Sequence, residues 1–214
     1  MIYGNTGSSL PQRITVQVLE TALLALSIVL LIREGNNPVR MWLLIGAFCV
    51  VYIRITGTIF FLLKRPMGWE EALSIPFAFA AYYIGFALLA GGRHAAVPAL
   101  EIAGALLFLA GSAVNTFSEV LRNRWKKDPA NKGRLYTGGL FRYSMHVNYF
   151  GDLLWVLGLA LITSNPWALI IPVALFGFFA FYNAPMLDKH LAEKYGEEFK
   201  SYAARTRKIV PFLY

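Results

Sequence analysis

Polar and aromatic side chains gather in one short stretch of this sequence, GGLFRYSMHVNYFGD, which runs from Gly138 to Asp152. Only 15% of the whole chain is charged, so such a stretch directly before a long apolar run is unusual. Imidazole, phenol and carboxylate groups exchange protons and form hydrogen bonds, and a guanidinium binds phosphate. The stretch therefore predicts a site for a head group or a cofactor at the mouth of a hydrophobic segment.

Two pairs of these side chains have helical spacing. Asn148 and Asp152 are four residues apart, and His146 and Tyr149 are three apart, so in a helix each pair shares a face. A helix that begins near His146 would bring all four toward one ligand. Two structural alternatives remain: Asn148 and Asp152 could cap that helix, and His146 and Tyr149 could be anchors at a membrane boundary.

The residues before this stretch form a basic loop, RNRWKKDPANKGRLYTGGLFRY. Guanidinium and ammonium groups bind phosphate oxygens, and aromatic rings can flank an adenine. On this basis we assign these residues to an anionic cofactor: Arg122, Arg124, Lys126, Arg142, Tyr143 and Tyr195. The charges of the loop also suit a topology signal or lipid contacts. No metal site is predicted, because the three histidines lack paired spacing and Cys49 is the single cysteine.

Composition indicates which elements must position these residues. Of the chain, 57% is hydrophobic, well above the usual content of a soluble domain. We predict an all-α, polytopic membrane protein with about six transmembrane helices, a C-terminal helical hairpin and an amphipathic tail. The predicted spans are 14–32, 41–63, 72–90 and 99–121, then two helices within 150–182 that meet at Thr163 to Pro166. A single bent helix is the alternative for 150–182.

The predicted spans form one domain, with 1–121 as N-terminal spans and 122–214 as the part that builds the cofactor site. Small residues from Gly104 to Gly111 predict close packing of the fourth span. Most lysines and arginines lie in the basic loop and the tail, so the positive-inside rule places both termini, the loop and the tail in the cytoplasm. The net charge of +8 then suits anionic lipid and an anionic cofactor better than nucleic acid.

Two segments resemble a known family. LYTGGLFRYSMHVNYFGDLLWVLGLAL resembles the signature G-L-W-x-Y-S-R-H-P-N-Y-x-G-E/D of membrane steroid 5-alpha-reductases, sterol reductases and similar bacterial proteins of the DUF1295 type. The ending KYGEEFKSYAARTRKIVPFLY is similar to their C-terminal K-Y-G-x-x-W-x-x-Y…I-P-Y-x-Y pattern. The resemblance covers the chain from Ser118 onward, with both segments in the family's order.

This resemblance implies a membrane reductase that uses NADPH and acts on a steroid-, isoprenoid- or lipid-like double bond. Hydride would pass from the nicotinamide to an activated double bond, and Tyr149 would supply the proton. His146 would position Tyr149 or substitute for it as the acid. The residues that would hold the polar end of the substrate are Glu20, Arg54, Tyr82 and Glu119. Glu20 and Arg54 could equally form a buried ion pair that orders the bundle.

The same architecture also serves isoprenylcysteine carboxyl methyltransferases and phospholipid methyltransferases, which place S-adenosylmethionine where the reductases place NADPH. Asn148 and Asp152 match the reductase form of the motif. The paired glutamates of the methyltransferases fall here on Leu187 and Asp188, and we count Asp188 among the cofactor-binding residues.

Two positions depart from the reductase signature. Met145 stands where the family usually has arginine, and Val147 stands where it has proline. A phosphate-binding charge and a rigid turn are therefore missing. These departures support a third hypothesis, a non-catalytic lipid-binding membrane protein that keeps the fold.

Overall fold

The computed structural model describes residues 9–34, 37–92 and 95–214, whose regular structure is entirely helical. This confirms the predicted all-α class. The α-helices of the described residues, in chain order, are α1 (Leu10–Arg33), α2 (Pro38–Gly57), α3 (Trp69–Ala80), α4 (Phe86–Ala90), α5 (Pro98–Lys126), α6 (Val147–Thr163), α7 (Ile170–Phe178), α8 (Ala184–Tyr195) and α9 (Glu197–Ala203).

Several helical segments are long and apolar enough to cross a bilayer. Within the described ranges, five such segments occur: Leu10–Arg33, Pro38–Leu62, Trp69–Ala90, Pro98–Lys126 and Pro166–Tyr195. The helix Val147–Thr163 is a shorter apolar one. Bulky side chains such as Phe77 and Phe181 are more than 80% exposed on these segments, as expected where lipid replaces water. The chain is an integral, multi-pass membrane protein.

In the part of the chain that the structure describes, three spans contain a π-helical turn, which the sequence pattern did not predict. The turns are Thr58–Leu62 after α2, Ala81–Gly85 between α3 and α4, and Phe179–Asn183 between α7 and α8. Such a turn holds an extra residue in the helix and often marks a functional site.

The predicted break after the fifth apolar run is confirmed. Helix α6 ends at Thr163, and a 3-10 turn, Pro166–Leu169, leads into α7. The Asn165 side chain accepts a hydrogen bond from Trp167 N at 3.1 Å, and Pro166 cannot donate one to continue the helix. The alternative of one bent helix is therefore wrong.

Contacts divide the chain into two compact units. Unit 1 takes the chain up to Ala105 together with Gly158–Ile171, and unit 2 takes Leu106–Leu157 with Pro172–Tyr214. In unit 1, Arg40 and Glu101 form an ion pair of 2.8 Å with side chains 0% and 3% exposed. Such a pair is stable only because each charge has its partner. It fastens the start of α2 to the start of α5.

Helices α5 and α6 approach each other closely at glycines. In unit 2, a Cβ at Gly111 would lie 2.4 Å from Trp155 N, and one at Gly151 would lie 2.6 Å from Asn115 N. In unit 1, a Cβ at Gly104 would lie 2.7 Å from the Gly158 carbonyl oxygen. This confirms the close packing predicted for the small-residue stripe. It also brings Asn115 against the first turns of α6.

Candidate functional site

The loop before α6 is held in place by the tail of the chain, within unit 2. Met145 N donates to Arg207 O at 2.7 Å, and His146 N donates to Lys208 O at 2.8 Å. These bonds fix the backbone directly before Val147, where α6 begins. His146 therefore stands at the start of the helix, close to where the sequence predicted it.

His146 is paired with Asp188, which α8 supplies. His146 Nε2 lies 2.9 Å from Asp188 Oδ1, and the two side chains are 2% and 16% exposed. Lys208 Nζ lies 4.0 Å from the other carboxylate oxygen. A carboxylate in this position fixes the orientation of an imidazole ring through a hydrogen bond. Asp188, predicted as a cofactor contact, is thus a partner of the predicted catalytic histidine.

His146, Tyr149 and Phe179 form a stack of three rings. The His146 and Tyr149 rings are 5.1 Å apart at 7°, and the Tyr149 and Phe179 rings are 4.4 Å apart at 14°. Phe179 opens the π-helical turn between α7 and α8. The π-helical turn therefore positions the Phe179 ring, and the start of α6 positions the rings of His146 and Tyr149.

Asn148 and Asp152 are connected to α5 instead. Asn115 Nδ2 donates to Asp152 Oδ1 at 2.8 Å and to Asn148 O at 3.1 Å. Trp155 Nε1 also donates to Asp152 Oδ1, at 2.8 Å. The predicted group of four thus has two sets of protein partners, and its convergence on one ligand stays a prediction. Asn115 was not among the predicted site residues, because only the packing of α5 on α6 brings it here.

The predicted cofactor cations lie at the end of α5 and in the loop that follows. Arg122 bonds Glu119 at 2.5 Å and stands 5.5 Å from the centre of the Phe141 ring. Arg124, Lys126 and Arg142 are exposed. Glu119, predicted to hold substrate, therefore lies among these cations.

Aromatic rings accompany the cations in the loop and on α8. Arg142 donates a hydrogen bond to Tyr143 and stands 4.6 Å from the centre of its ring. Tyr195, on α8, has Lys194 Nζ at 5.3 Å from its ring centre. Cations beside aromatic faces are what phosphates and an adenine require.

A second polar group is buried in unit 1. Glu20 is 0% exposed, and neither carboxylate oxygen has a hydrogen-bond partner among the residues that the structure describes. The Tyr83 side chain is also 0% exposed without a partner for its hydroxyl in those residues, and its turn, Ala81–Gly85, packs against α1, which carries Glu20. The alternative in which Glu20 pairs with Arg54 is therefore wrong.

Tyr83 was missed, and Tyr82 was predicted in its place. Tyr82 is half-buried and packs edge-on against Phe79, with ring centres 5.4 Å apart at 85°. Both tyrosines belong to the π-helical turn Ala81–Gly85. Arg54 is half-buried on α2.

The two departures from the reductase signature are packing positions here. Met145 is 7% exposed and forms an apolar cluster with Phe199 and Tyr202, while Val147 is 3% exposed. The Tyr202 hydroxyl donates to Phe141 O at 2.5 Å, and burial raises the pKa of this hydroxyl, so it remains a donor. Met145 thus joins the loop to α9 by apolar contact.

An open cavity of about 300 Å³ lies beside Asp188 in unit 2. Its lining includes Met145, Arg207, Lys208 and Tyr214. Cations, a carboxylate and apolar groups therefore face one space next to the His146–Asp188 pair. Within the described ranges, no group of three or more histidine, cysteine or acidic side chains is placed to hold a metal ion.

Comparison with known proteins agrees with the resemblance seen in the sequence. Residues 75–206 match the family described as "Protein of unknown function (DUF1295)". The chain belongs to this family.

Among similar proteins, this DUF1295 protein is 28% identical over 193 residues to 3-oxo-5-alpha-steroid 4-dehydrogenase 1 of Rattus norvegicus, which covers 85% of this chain and 70% of that protein. It is 27% identical over 195 residues to steroid 5-alpha-reductase DET2 of Gossypium hirsutum, over 83% of this chain and 72% of the other. It is 36% identical over 107 residues to the probable O-methyltransferase ustE of Ustilaginoidea virens, but that match spans only 49% of this chain and 37% of the methyltransferase.

Proposed function

We propose that this DUF1295 protein is a membrane-embedded, NAD(P)H-dependent reductase of a double bond in a steroid-, isoprenoid- or other lipid-like substrate. One observation carries the proposal: a connected set of proton-exchanging groups at the start of α6. His146 lies at hydrogen-bond distance from Asp188, and Tyr149 stacks on His146. The steroid reductase relatives support it, because their matches extend along most of this chain.

Reduction of a polarised double bond requires a hydride and a proton. NADPH supplies the hydride when it is bound. In this chain Tyr149 is the proton donor, and its ring is fixed between those of His146 and Phe179. Asp188 accepts the hydrogen bond of His146 Nε2 and holds the imidazole in one orientation. His146 thereby positions the Tyr149 ring by stacking, or substitutes for Tyr149 as the acid.

The residues present fit a dinucleotide. The exposed Arg124, Lys126 and Arg142 offer charges for phosphate groups, and Tyr143 and Tyr195 offer ring faces. Asn148 and Asp152 lie one helical turn apart beside Asn115, which fixes the Asp152 carboxylate. In this proposal the basic loop and the tail face the cytoplasm, where the nucleotide is available.

Within unit 1, a polar group of a lipid-like ligand is assigned to the buried side chains described above. A buried carboxyl and a buried phenol without protein partners are costly, so a ligand that bonds to them would recover that cost. Glu20 and Tyr83 are such groups, and both can donate a hydrogen bond to a polar oxygen of such a ligand when protonated. Arg54, on α2, and Tyr82, next to Tyr83, are further candidates.

A second candidate function is methyl transfer from S-adenosylmethionine. The 36% identity to a probable O-methyltransferase favours it specifically. In that case the same residues would orient donor and acceptor, and the His146–Asp188 pair would accept the proton of an acceptor hydroxyl. A non-catalytic lipid-binding protein is the third possibility, and the apolar packing of Met145 is compatible with it.

Thermal stability of the detergent-solubilised protein separates these functions. NADPH is expected to raise the Tm and S-adenosylmethionine is not, because a ligand stabilises the state that binds it. Stabilisation by S-adenosylmethionine alone would replace the reductase proposal with methyl transfer. A response to neither compound would favour the non-catalytic protein.

Substitution of Asn148 and Asp152 by alanine tests the cofactor assignment. Both variants are expected to lose stabilisation by NADPH while the apo protein still unfolds cooperatively. Asp128→Ala, in an exposed turn of the loop, is the matched control and should respond like the unmodified protein. Unchanged NADPH affinity in both site variants would contradict the assignment.

A further inference from the structure

A buried serine joins the tail of the chain to the loop that carries His146. Ser144 is 0% exposed, and its Oγ lies 2.9 Å from Lys208 O and 2.8 Å from Ile209 O. Its oxygen also accepts a bond from His146 N at 3.3 Å. One hydroxyl thus bonds the tail on one side and the backbone of His146 on the other.

The tail is firmly placed on both sides of this contact. Ser144 and Arg207 form a parallel bridge, and the backbone N–H groups of Met145 and His146 donate to the tail as described above. Ile209 is 0% exposed and packs in the same apolar cluster as Phe179, with Tyr149 against it. The chain then turns back, because Ile209 N and Val210 N both donate to Tyr214 O, at 2.8 and 2.7 Å.

The position of the His146 ring depends on the position of this backbone. Asp188 comes from α8 and Phe179 from the preceding π-helical turn, so the imidazole meets partners that are far from it in the chain. A shift of the loop by less than one ångström would lengthen the 2.9 Å contact with Asp188 and offset the stacked rings. Within the loop, Ser144 is the residue whose side chain bonds to the tail backbone.

We propose that Ser144 is a positioning residue, whose hydroxyl fastens the tail at Lys208 and Ile209 to the loop and so fixes the orientation of the His146 ring. The catalytic consequence rests on the proposed function. The fastening itself is independent of it. Ser144→Ala leaves buried carbonyl oxygens with one donor fewer, which is expected to increase opening of the tail contact roughly 5- to 30-fold.

Hydrogen exchange measures this opening directly. In Ser144→Ala, the amides of Met145 and His146 are expected to exchange roughly 5- to 30-fold faster, and Ser144→Thr should restore slow exchange. Ser27→Ala is the matched control: Ser27 is also 0% exposed, but its hydroxyl bonds Leu24 O at 2.8 Å on the same helix. Equal exchange in Ser144→Ala and the unmodified protein would overturn the proposal.

Nitrogen NMR of labelled histidine supplies a readout that loss of stability alone would not move. The chain has three histidines, so His94→Gln and His190→Gln leave the signals of His146. A ring held by Asp188 gives two separated ring-nitrogen signals, whereas a freely exchanging neutral imidazole gives averaged ones. Ser144→Ala is expected to average them. Ser144→Cys has a weaker donor, so its signals should lie between those of the unmodified protein and those of Ser144→Ala. It replaces the alanine variant in this test if that variant does not fold.

The two proposals can fail separately. If Ser144→Ala frees the tail and the His146 ring but NADPH does not stabilise the unmodified protein, the positioning role stands and the reductase proposal fails. If NADPH binds and Ser144→Ala leaves both exchange and the ring signals unchanged, the positioning role is wrong and the reductase proposal stands.

Discussion

Two carboxylates of this protein, those of Asp188 and Glu20, have opposite surroundings. Asp188 has His146 at 2.9 Å and Lys208 at 4.0 Å, so its charge is paired. Glu20 is fully buried without a hydrogen bond in the described part of the chain. A paired carboxylate holds its partner in place, whereas an unpaired one lowers stability. Because its burial lowers stability, we expect Glu20 to have a role in binding a ligand.

Glu20→Met tests this expectation. Methionine has a similar length without the polar oxygens, so the free energy of unfolding is expected to rise by about 1–3 kcal/mol while affinity for a lipid-like ligand with a polar oxygen falls. Thermal unfolding and substrate titration measure the two effects. Glu34→Met, at an exposed position after α1, should change neither. A destabilised variant with normal substrate affinity would show that Glu20 is a structural residue.

At the scale of elements, the packing of α5 on α6 determines where the site residues meet. Gly111 and Gly151 allow the two backbones to touch in unit 2, and Asn115 reaches Asp152 only because of that approach. A methyl group at either glycine would meet backbone atoms, which cannot move aside as a flexible side chain can. The glycines are thus part of the candidate site without bonding to any ligand.

Gly151→Ala is expected to lower the free energy of unfolding by about 1–3 kcal/mol or more and to weaken NADPH binding by displacing Asn115. Chemical denaturation and NADPH titration measure these changes. Gly177→Ala is the control on α7, because a Cβ there meets nothing within 4 Å, and it should be neutral or stabilising by up to about 1 kcal/mol. A similar loss in Gly177→Ala would mean that the close contact at Gly151 is not the cause.

Apolar run length predicted the spans, and the Asn165–Pro166 pair predicted the break before α7, because these signals are local in the chain. Two pairs of site residues, in contrast, are far apart in the sequence. His146 and Asp188 are 42 residues apart and Asn115 and Asp152 are 37 apart, so only tertiary packing defines those pairs. Composition is also silent about a π-helical turn, since the same residues can form α-helix.

At the scale of the whole molecule, the positive-inside rule remains the argument for orientation. Lys132 lies in the basic loop and Ala96 in the connection before α5, and both are exposed. The predicted topology places Lys132 in the cytoplasm and Ala96 on the opposite side. Cys49 is the single cysteine of the chain, so one substitution gives a cysteine-free background.

In a Cys49→Ala background, a membrane-impermeant maleimide is expected to label Ala96→Cys in intact cells and Lys132→Cys only after permeabilisation. Gel-shift detection of the labelled protein measures both. Full labelling of each variant in permeabilised cells shows that both thiols are reactive. The reverse pattern in intact cells would invert the topology and remove the basic loop from the nucleotide-containing compartment.

The π-helical turn Ala81–Gly85 has a consequence for how this chain can change over time. A single-residue deletion there would convert the π turn to an ordinary α turn and rotate the adjoining helix by about 100°. Tyr83 would then leave the side on which Glu20 lies, although no side chain near Glu20 had been altered. The inserted residue is thus as necessary to this arrangement as the tyrosine, and alignments of relatives should be examined for gaps as well as substitutions.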